Sequence, residues 1–228
     1  MICPKLDSRE FHNAYACAKP FPHTLFRGLF DWDLLRKVST EFQTGKTELW
    51  RKIDSKNTVN KFACNDPKLW GPSTKEFINE LQSKDFCKWL SKMTGHRKLI
   101  SDPNFFGGGL HATGTGGRLE IHADFNYSHE LKSRRVLGLL IYLNDNWNPS
   151  WGGELELWNR QMSKCVVKIP PRMNTTVVFN TDDDSNHGHP HPLSCPEGVF
   201  RKSIALYYYN KGETVEVPHT MLYKTRRD

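Results

Sequence analysis

Residues 118–128 read RLEIHADFNYS, and the interpretation of the rest of the chain starts from them. Successive side chains of a β-strand point to opposite faces, so His122 and Asp124 would project from the same side of a sheet. On a helix, residues two apart do not face each other, and this pair could not bind one ligand. An imidazole and a carboxylate on one face supply two of the three protein ligands of a 2-His-1-carboxylate iron(II) site. Because His-x-Asp triplets are also common in ordinary surface strands, a third ligand has to be found elsewhere.

Candidates for the third ligand lie in NHGHPHPLSCPEG, residues 186–198. This stretch contains His187, His189 and His191, which have the same parity, so strand alternation does not choose among them. Prolines follow His189 and His191, and their missing N–H donors indicate that the chain leaves the sheet there. The pattern favours His187 and keeps the other two as alternatives.

The length of 228 residues and the hydrophobic fraction of 37% predict one domain with a real core. We expect a single domain over 1–228, with a helical flank and lead-in over 1–100 and a β core over 105–210. No apolar run approaches the roughly 20 residues needed to span a bilayer. The start, MICPKLDSRE, lacks the apolar stretch of a signal peptide, so we expect a soluble, cytoplasmic protein without a membrane partner.

Cysteine spacing and charge indicate neither a disulfide framework nor a nucleic-acid surface. The six cysteines form no CxxC pair, which favours reduced thiols. They are Cys3, Cys17, Cys64, Cys87, Cys165 and Cys195. The net charge of +7 is dispersed, with short doublets such as Arg134-Arg135 and Arg226-Arg227 and no basic stripe interleaved with aromatics. We therefore interpret these residues as a solvated basic surface and do not expect nucleic acid as a partner.

The amino-terminal part predicts helices that pack on the outside of a sheet. Residues 29–42 carry Trp32, Leu35, Val38 and Phe42 at helical spacing, with Asp31 placed to cap the helix. Residues 74–95 predict a second helical region, read as one helix or two short ones. Its buried stripe would be Phe77, Leu81, Phe86 and Leu90, and Gly95 would end it.

Short β-rich runs follow from about residue 105. They are RLEIHADF (118–125), RVLGLLIYLN (135–144), GELELW (153–158), KCVVKI (164–169), NTTVVFN (174–180) and KSIALYYY (202–209). Turn-forming residues separate them, and no helical pattern intervenes. The fold class predicted is mainly β with flanking helices, as a β-sandwich or jelly roll.

The last of these strands contains a second informative pair, Arg201 and Ser203, which share a face. Arginine binds a carboxylate through two parallel hydrogen bonds, and a neighbouring hydroxyl can donate to the same group. In an average sequence Arg201 would be an exposed strand-edge charge. Here it follows the histidine cluster and lies far downstream of His-x-Asp.

In this order of motifs the chain resembles the iron(II)/2-oxoglutarate-dependent dioxygenases, and among them the prolyl-hydroxylase-like branch. The resemblance runs from about 110 to 210 through HADFN, RRVLGLLIYLN, WGGELELW, FNTDDDSNHGHP and RKSIALYYY. It implies a double-stranded β-helix, a variant of the jelly roll. It also implies iron(II), 2-oxoglutarate as co-substrate, molecular oxygen, and ascorbate as an accessory reductant.

Carried over residue by residue, the resemblance makes His122, Asp124 and His187 the iron ligands. Arg201 matches the anchor of the distal 2-oxoglutarate carboxylate, with Lys202 and Arg172 as fallback candidates. Ser203 and Tyr142 would add hydrogen bonds to that carboxylate, although a strand tyrosine is usually a core residue. The catalytic set is therefore His122, Asp124, His187 and Arg201.

The reaction implied is oxidative decarboxylation of 2-oxoglutarate to succinate coupled to hydroxylation of an unactivated C–H bond. The substrate suggested by the resemblance is a prolyl residue, in a peptide or as the free amino acid, with other small metabolites open. Two alternatives remain from the residues. One is a non-enzymatic metal-binding jelly-roll module, and the other is an oxygenase acting on nucleic acid. A separate arginine anchor disfavours the first, since a structural metal would not need it.

Overall fold

The computed structural model describes residues 6–42 and 49–226. Cys3, the first residues of the predicted lead-in, and Arg227 lie outside the described residues. The α-helices are α1 (His12–Cys17), α2 (Trp32–Glu41), α3 (Pro72–Leu81) and α4 (Lys84–Thr94). Short 3-10 helices cover Ser8–Phe11, Pro67–Leu69 and Pro149–Trp151.

The strands pair antiparallel in one curled sheet with the path β1-β10-β7-β12-β5-β11-β8-β9. They are β1 (His23–Arg27), β2 (Arg51–Ile53), β3 (Thr58–Cys64), β4 (Leu99–Ser101), β5 (Gly109–Ala123), β6 (Tyr127–Ser128), β7 (Ser133–Tyr142), β8 (Leu155–Trp158), β9 (Cys165–Ile169), β10 (Thr175–Asn180), β11 (His187–His189), β12 (Arg201–Asn210) and β13 (Leu222–Tyr223). Each of the six predicted strands is present. The first of them, β5, begins at Gly109, well before the predicted Arg118.

Both predicted helical regions are confirmed. One of the apolar residues named for α2 is exposed. The Asp31 side chain accepts a hydrogen bond from the Leu34 N–H at 2.8 Å and so caps α2. Residues 74–95 form two helices, α3 and α4, and Gly95 ends α4 at a φ of 79°. Trp32, one of the apolar residues at helical spacing in α2, is 45% exposed, and the Arg36 guanidinium lies over its ring.

The helices cover the outer face of the sheet. Alternation along β7 sends Leu139 and Ile141 outward into a large core with residues of α2, α3 and α4. Tyr142 points inward, into a smaller core between the two halves of the curled sheet. The inner face therefore keeps space for a site, while most of the apolar burial that stabilises the fold lies outside it.

Residues 1–100, predicted to be a helical flank and lead-in, contribute strands as well as helices. Strand β1 pairs with β10, and β3 pairs with β5, so this part of the chain completes the sheet. The sequence of β3, TVNKFAC, does not show a clear strand pattern. Asn60 interrupts the strand at a φ of 49°, and the polar Lys61 follows it. Strands β2 and β4 are only three residues long, which is too short for alternation to be recognised.

Strand β5 runs through both halves of the sheet. Its first part, Gly109–Thr113, pairs with β12, and its last part pairs with β11 and β13. Strand β5 therefore fixes the distance between two regions of the inner face, one next to β12 and the other next to β11. In the part of the chain that the structure describes, the longest helix has 11 residues, and none is long and apolar enough to cross a membrane.

We predict that Asn174 fastens α2 to the sheet. Its buried side chain accepts from the Phe30 N–H at 3.3 Å and donates to the Phe30 carbonyl at 2.7 Å. Asn174→Ala should lower the free energy of unfolding by about 1–3 kcal/mol, because both backbone groups lose their partner. Chemical denaturation measures this change.

Asn146→Ala is the matched control. Asn146 also has a positive φ, 52° against 58° for Asn174, but its side chain is exposed. Both substitutions lose an asparagine that tolerates this conformation. Equal destabilisation by the two variants would contradict a role for the buried hydrogen bonds.

Candidate metal centre

His122, Asp124 and His187 form a cluster on the inner face of the sheet. Asp124 directly follows β5, and His187 opens β11, where it pairs in register with His122. One ligand atom from each of the three residues lies within 4.8 Å of the others. The Asp124 carboxylate is 3.5 Å from the Nε2 atom of each histidine. Two imidazoles and one carboxylate at this spacing suit a divalent transition metal.

Backbone carbonyls set the orientation of both imidazoles. Nδ1 of His122 donates to the Glu120 carbonyl at 2.8 Å, and Nδ1 of His187 donates to the Ser185 carbonyl at 2.9 Å. Because a carbonyl oxygen only accepts, the proton of each neutral ring sits on Nδ1. The lone pair of each Nε2 is then left facing Asp124, which is the arrangement that metal-binding histidines use.

Charge states in the cluster also fit a metal site. Burial lowers the pKa of His187 to about 4, so its imidazole is neutral near pH 7. Burial opposes ionisation of Asp124, but the nearby Arg135 guanidinium, together with the contacts to His187 and His122, outweighs burial and holds the pKa of that carboxyl well below its usual range. The cluster therefore offers the neutral imidazole of His187 and the anionic carboxylate of Asp124, the deprotonated forms that metal binding requires.

Arg135 is the main residue of the site that sequence reasoning missed. It was interpreted as part of an exposed doublet, but its side chain is fully buried and its Nη2 donates to the Asp124 carboxylate at 2.5 Å. The guanidinium carbon lies 3.4 Å from the Tyr207 ring centroid and 4.5 Å from that of Phe125. Arg134 beside it is partly exposed and pairs with Glu213. Only Arg134 behaves as predicted for the doublet.

A β-bulge explains the position of Arg135. Tyr208 pairs with Leu137, but Tyr209 pairs with Arg135, so Val136 is an extra residue in β7. Strict alternation from the inward-pointing Tyr142 would place Arg135 on the outer face. The bulge reverses this alternation and turns Arg135 towards Asp124.

The metal cluster opens into a cavity of about 80 Å³. Arg201 and Ser203 on β12 line it, as predicted from their shared face. Arg201 is 6% exposed, and its guanidinium donates to the Gly153 carbonyl at 2.7 Å and to the Tyr142 hydroxyl at 3.0 Å. Its Nη1 has no hydrogen-bond partner among the described residues. Arg201 is thus fixed at one end of the cavity with a donor available for an anion.

The other predicted residues occupy different positions. Tyr142 is fully buried and contacts Arg201, but it does not line the cavity. His189 is buried and lines the cavity, although it stands outside the metal cluster. The His191 side chain is 61% exposed and lies 3.6 Å from Glu156. Among the three histidines, only His187 lies against Asp124.

The two fallback candidates for Arg201 point elsewhere. Lys202 projects to the outer face, where its Nζ donates to the Ser39 hydroxyl of α2 at 2.6 Å. Arg172 lines a separate cavity with Trp32 and Asn144. Neither side chain lines the cavity next to the metal cluster.

The carboxy-terminal segment, for which the sequence suggested no role, returns across the site. Strand β13 pairs with the end of β5, where Tyr223 lies opposite His122 with ring centroids 5.9 Å apart. Met221 lines the cavity. The Asn126 side chain holds this segment by accepting from the His219 N–H at 3.0 Å and donating to the Val217 carbonyl at 3.0 Å.

Comparisons with known proteins agree with this geometry. The sequence model described as the 2OG-Fe(II) oxygenase superfamily matches residues 108–209. None of the curated proteins compared with this chain matches it significantly in sequence.

Similar solved structures include a Pseudomonas putida prolyl-4-hydroxylase, with a TM-score of 0.61 and 16% identity, covering 90% of this chain and 99% of that one. A Trichoplax adhaerens prolyl hydroxylase in complex with a hypoxia inducible factor peptide fragment has a TM-score of 0.63 and 16% identity, covering 89% of each chain. HygX from Streptomyces hygroscopicus, with nickel, 2-oxoglutarate and hygromycin B bound, has a TM-score of 0.57 and 13% identity, covering 90% of this chain and 88% of that one. The predicted double-stranded β-helix is confirmed.

We predict that Arg135 supports metal binding through Asp124. In Arg135→Met the carboxylate loses its buried cation, so the affinity for Ni(II) or Mn(II) should fall about 10–100-fold, the usual effect of removing a partner of a ligand. Calorimetric titration of the metal-free protein measures this affinity.

Arg134→Met is the control at the adjacent position, since it removes only a partly exposed pair with Glu213. Its metal affinity should stay close to that of the unsubstituted protein. The role assigned to Arg135 is refuted if both variants bind metal equally well while remaining folded by circular dichroism.

Proposed function

We propose residue roles from the premise that this chain carries a 2OG-Fe(II) oxygenase domain and is an iron(II)- and 2-oxoglutarate-dependent dioxygenase. The reaction proposed is hydroxylation of an unactivated C–H bond. The observation that carries the assignment is the His122–Asp124–His187 cluster in the same cavity as the Arg201 guanidinium. A non-enzymatic metal module would need the cluster but would gain nothing from a buried arginine directed into the cavity.

For the metal, we propose His122, Asp124 and His187 as the protein ligands of iron(II). Three protein ligands leave coordination positions for the co-substrate and oxygen. When bound, iron and 2-oxoglutarate together supply the oxidising chemistry, with succinate and carbon dioxide as the co-products. The chain itself fixes the two Nε2 lone pairs through the Glu120 and Ser185 carbonyls. Arg135 keeps the Asp124 carboxylate ionised.

For the co-substrate, we propose that Arg201 binds the distal carboxylate of 2-oxoglutarate, with Ser203 as a second donor. Arg201 cannot swing away, because the Gly153 carbonyl and the Tyr142 hydroxyl already accept two of its N–H groups. Tyr142 therefore acts by holding Arg201. Buried apolar neighbours such as Leu155 and Phe179 line the same cavity and limit water near the reacting groups.

For the primary substrate, we propose a prolyl residue of a peptide or a small metabolite. The Trichoplax neighbour holds a peptide and the Streptomyces neighbour holds hygromycin B, so this fold accommodates both classes. We do not propose nucleic acid, because the doublet offered as its contact is unsuitable: Arg135 is buried and Arg134 is paired with Glu213.

We also propose that residues 1–228 form a single dioxygenase domain, supported by the pairing of β1 and β3 with the core strands. A cytoplasmic location is proposed from the cysteines, of which the five in the described residues are free thiols. Ascorbate is proposed as an accessory reductant that sustains turnover.

The first test is uncoupled turnover. Purified protein with iron(II), ascorbate and 2-oxoglutarate should slowly form succinate, measured by mass spectrometry. His122→Ala and His187→Ala should abolish it, because each removes one of three metal ligands. His191→Ala is the control and should retain it, since that side chain is mostly exposed. Loss in His191→Ala with full activity in His187→Ala would reassign the ligand.

The second test separates the co-substrate from the metal. Arg201→Ala should raise the KM for 2-oxoglutarate by at least about 30-fold, because losing one partner of a desolvated charge pair costs about 2–5 kcal/mol. Its metal affinity should change little. Arg172→Ala removes a cation from the separate cavity and should leave the KM unchanged. An unchanged KM in Arg201→Ala would refute the anchor assignment.

A further inference from the structure

Lys61 is a cation in the cavity that the proposed function does not use. It lies on β3, in register with Thr113 of β5, and Thr113 is in turn in register with Arg201 of β12. All three side chains line the cavity. Two cations thus flank one threonine along a row across three strands.

The ammonium group of Lys61 has no hydrogen bond or ion pair with any of the residues that the structure describes. Other lysines held against the sheet do have partners. Nζ of Lys202 donates to Ser39, and Nζ of Lys168 lies 2.8 Å from a Glu156 oxygen. Burial lowers the pKa of Lys61 to about 8, and Arg201 adds to this effect. The group is therefore still mainly protonated near pH 7, at a cost in free energy that a partner would offset.

Among the described residues that line the cavity, the one carboxylate is Asp124, and it is already paired with Arg135. His111 and His189 line the same cavity and are buried. Nδ1 of His189 has no hydrogen-bond partner among the residues that the structure describes. This wall of the cavity therefore presents several nitrogen groups, one of them positively charged, and the missing component is an acceptor with negative charge.

Binding of metal and 2-oxoglutarate does not supply a countercharge for Lys61. A divalent metal, Arg201 and Arg135 carry four positive charges, and the Asp124 carboxylate and the two carboxylates of 2-oxoglutarate carry only three negative ones. The charge of Lys61 would remain unbalanced unless Lys61 binds one carboxylate of the co-substrate or a further anion.

We propose that Lys61, with His111 and His189 beside it, forms a second anion subsite that binds a carboxylate inside the cavity. The carboxylate has two sources: the co-substrate, or a primary substrate that carries an acidic group. The inference rests on the proposed function for its location next to the metal, but its own test does not need turnover. Where the primary substrate is the source, uncharged substrates should bind less well than their carboxylate counterparts.

The experiment uses Lys61→Met, which keeps the aliphatic chain and removes the charge. Lys61→Arg restores the charge, and Lys56→Met removes an exposed lysine nearby. Lys61→Met should be as stable to heat as the unsubstituted protein or more so, because an unpaired ammonium is removed. This keeps any loss of binding separate from loss of folding.

In the first arm, Ni(II)-loaded protein is titrated with 2-oxoglutarate by calorimetry. In the second, protein loaded with Ni(II) and 2-oxoglutarate is titrated with two matched pairs of probes. The pairs are L-glutamate with L-glutamine, and N-acetyl-L-proline with N-acetyl-L-prolinamide. Each pair differs by one carboxylate, so the difference in affinity reports the charge.

Two results support the subsite. If the affinity for 2-oxoglutarate falls at least about tenfold in Lys61→Met and recovers in Lys61→Arg, the co-substrate is the source of the bound carboxylate. Unchanged 2-oxoglutarate affinity with selective loss of a carboxylate probe assigns the primary substrate. Lys56→Met should behave as the unsubstituted protein in both arms.

The subsite is overturned if Lys61→Met stays within about twofold of the unsubstituted protein for 2-oxoglutarate and for every carboxylate probe. The subsite is also overturned if no carboxylate probe binds to any variant and the affinity for 2-oxoglutarate is the same in all of them. Failure of the proposed function looks different, because the unsubstituted protein would then neither bind 2-oxoglutarate nor form succinate.

Discussion

The pairing of β11 with β5 is the contact on which the site depends. It sets His187 opposite His122, and therefore places the member of the cluster that is distant in sequence against the His-x-Asp pair. Gly188 allows this close approach, because a Cβ there would lie 2.8 Å from the Leu119 carbonyl oxygen and 2.9 Å from that of Glu120. The glycine that follows His187 is thus explained by packing, and its role is to let β11 reach β5.

Asp124 shows how the fold maintains a charge that burial opposes. A buried carboxylate tends to protonate, and a protonated carboxyl is a poor metal ligand. Arg135 counteracts this tendency from a fully buried position between Tyr207 and Phe125. Its Nε and Nη1 have no hydrogen-bond partner among the described residues, and the faces of the two aromatic rings contact the guanidinium instead.

The sequence was most informative where local patterns decide the structure. Alternation predicted the shared face of His122 and Asp124 and that of Arg201 and Ser203, and both pairs line the cavity. Sequence patterns gave the wrong position for Arg135, which was interpreted as exposed. The bulge at Val136 arises from pairing with Tyr208 and Tyr209, which are distant in sequence. Lys61 was missed for a related reason. Its strand has an irregular register, and only its pairing with β5 directs the side chain inward.

The outer face of the sheet contributes most of the stability, and the inner face carries the cavity. The outer face packs against the helices and contributes most of the apolar burial, so stability does not depend on filling the inner cavity. The inner face can therefore retain groups that lower stability, such as the unpaired ammonium of Lys61 and the unpartnered Nδ1 of His189. Buried groups without partners are costly, and a cavity that collects several of them on one wall is built for a charged ligand. Since Arg201 and Lys61 approach from neighbouring strands around Thr113, the distance between two bound anionic groups is set by the sheet itself.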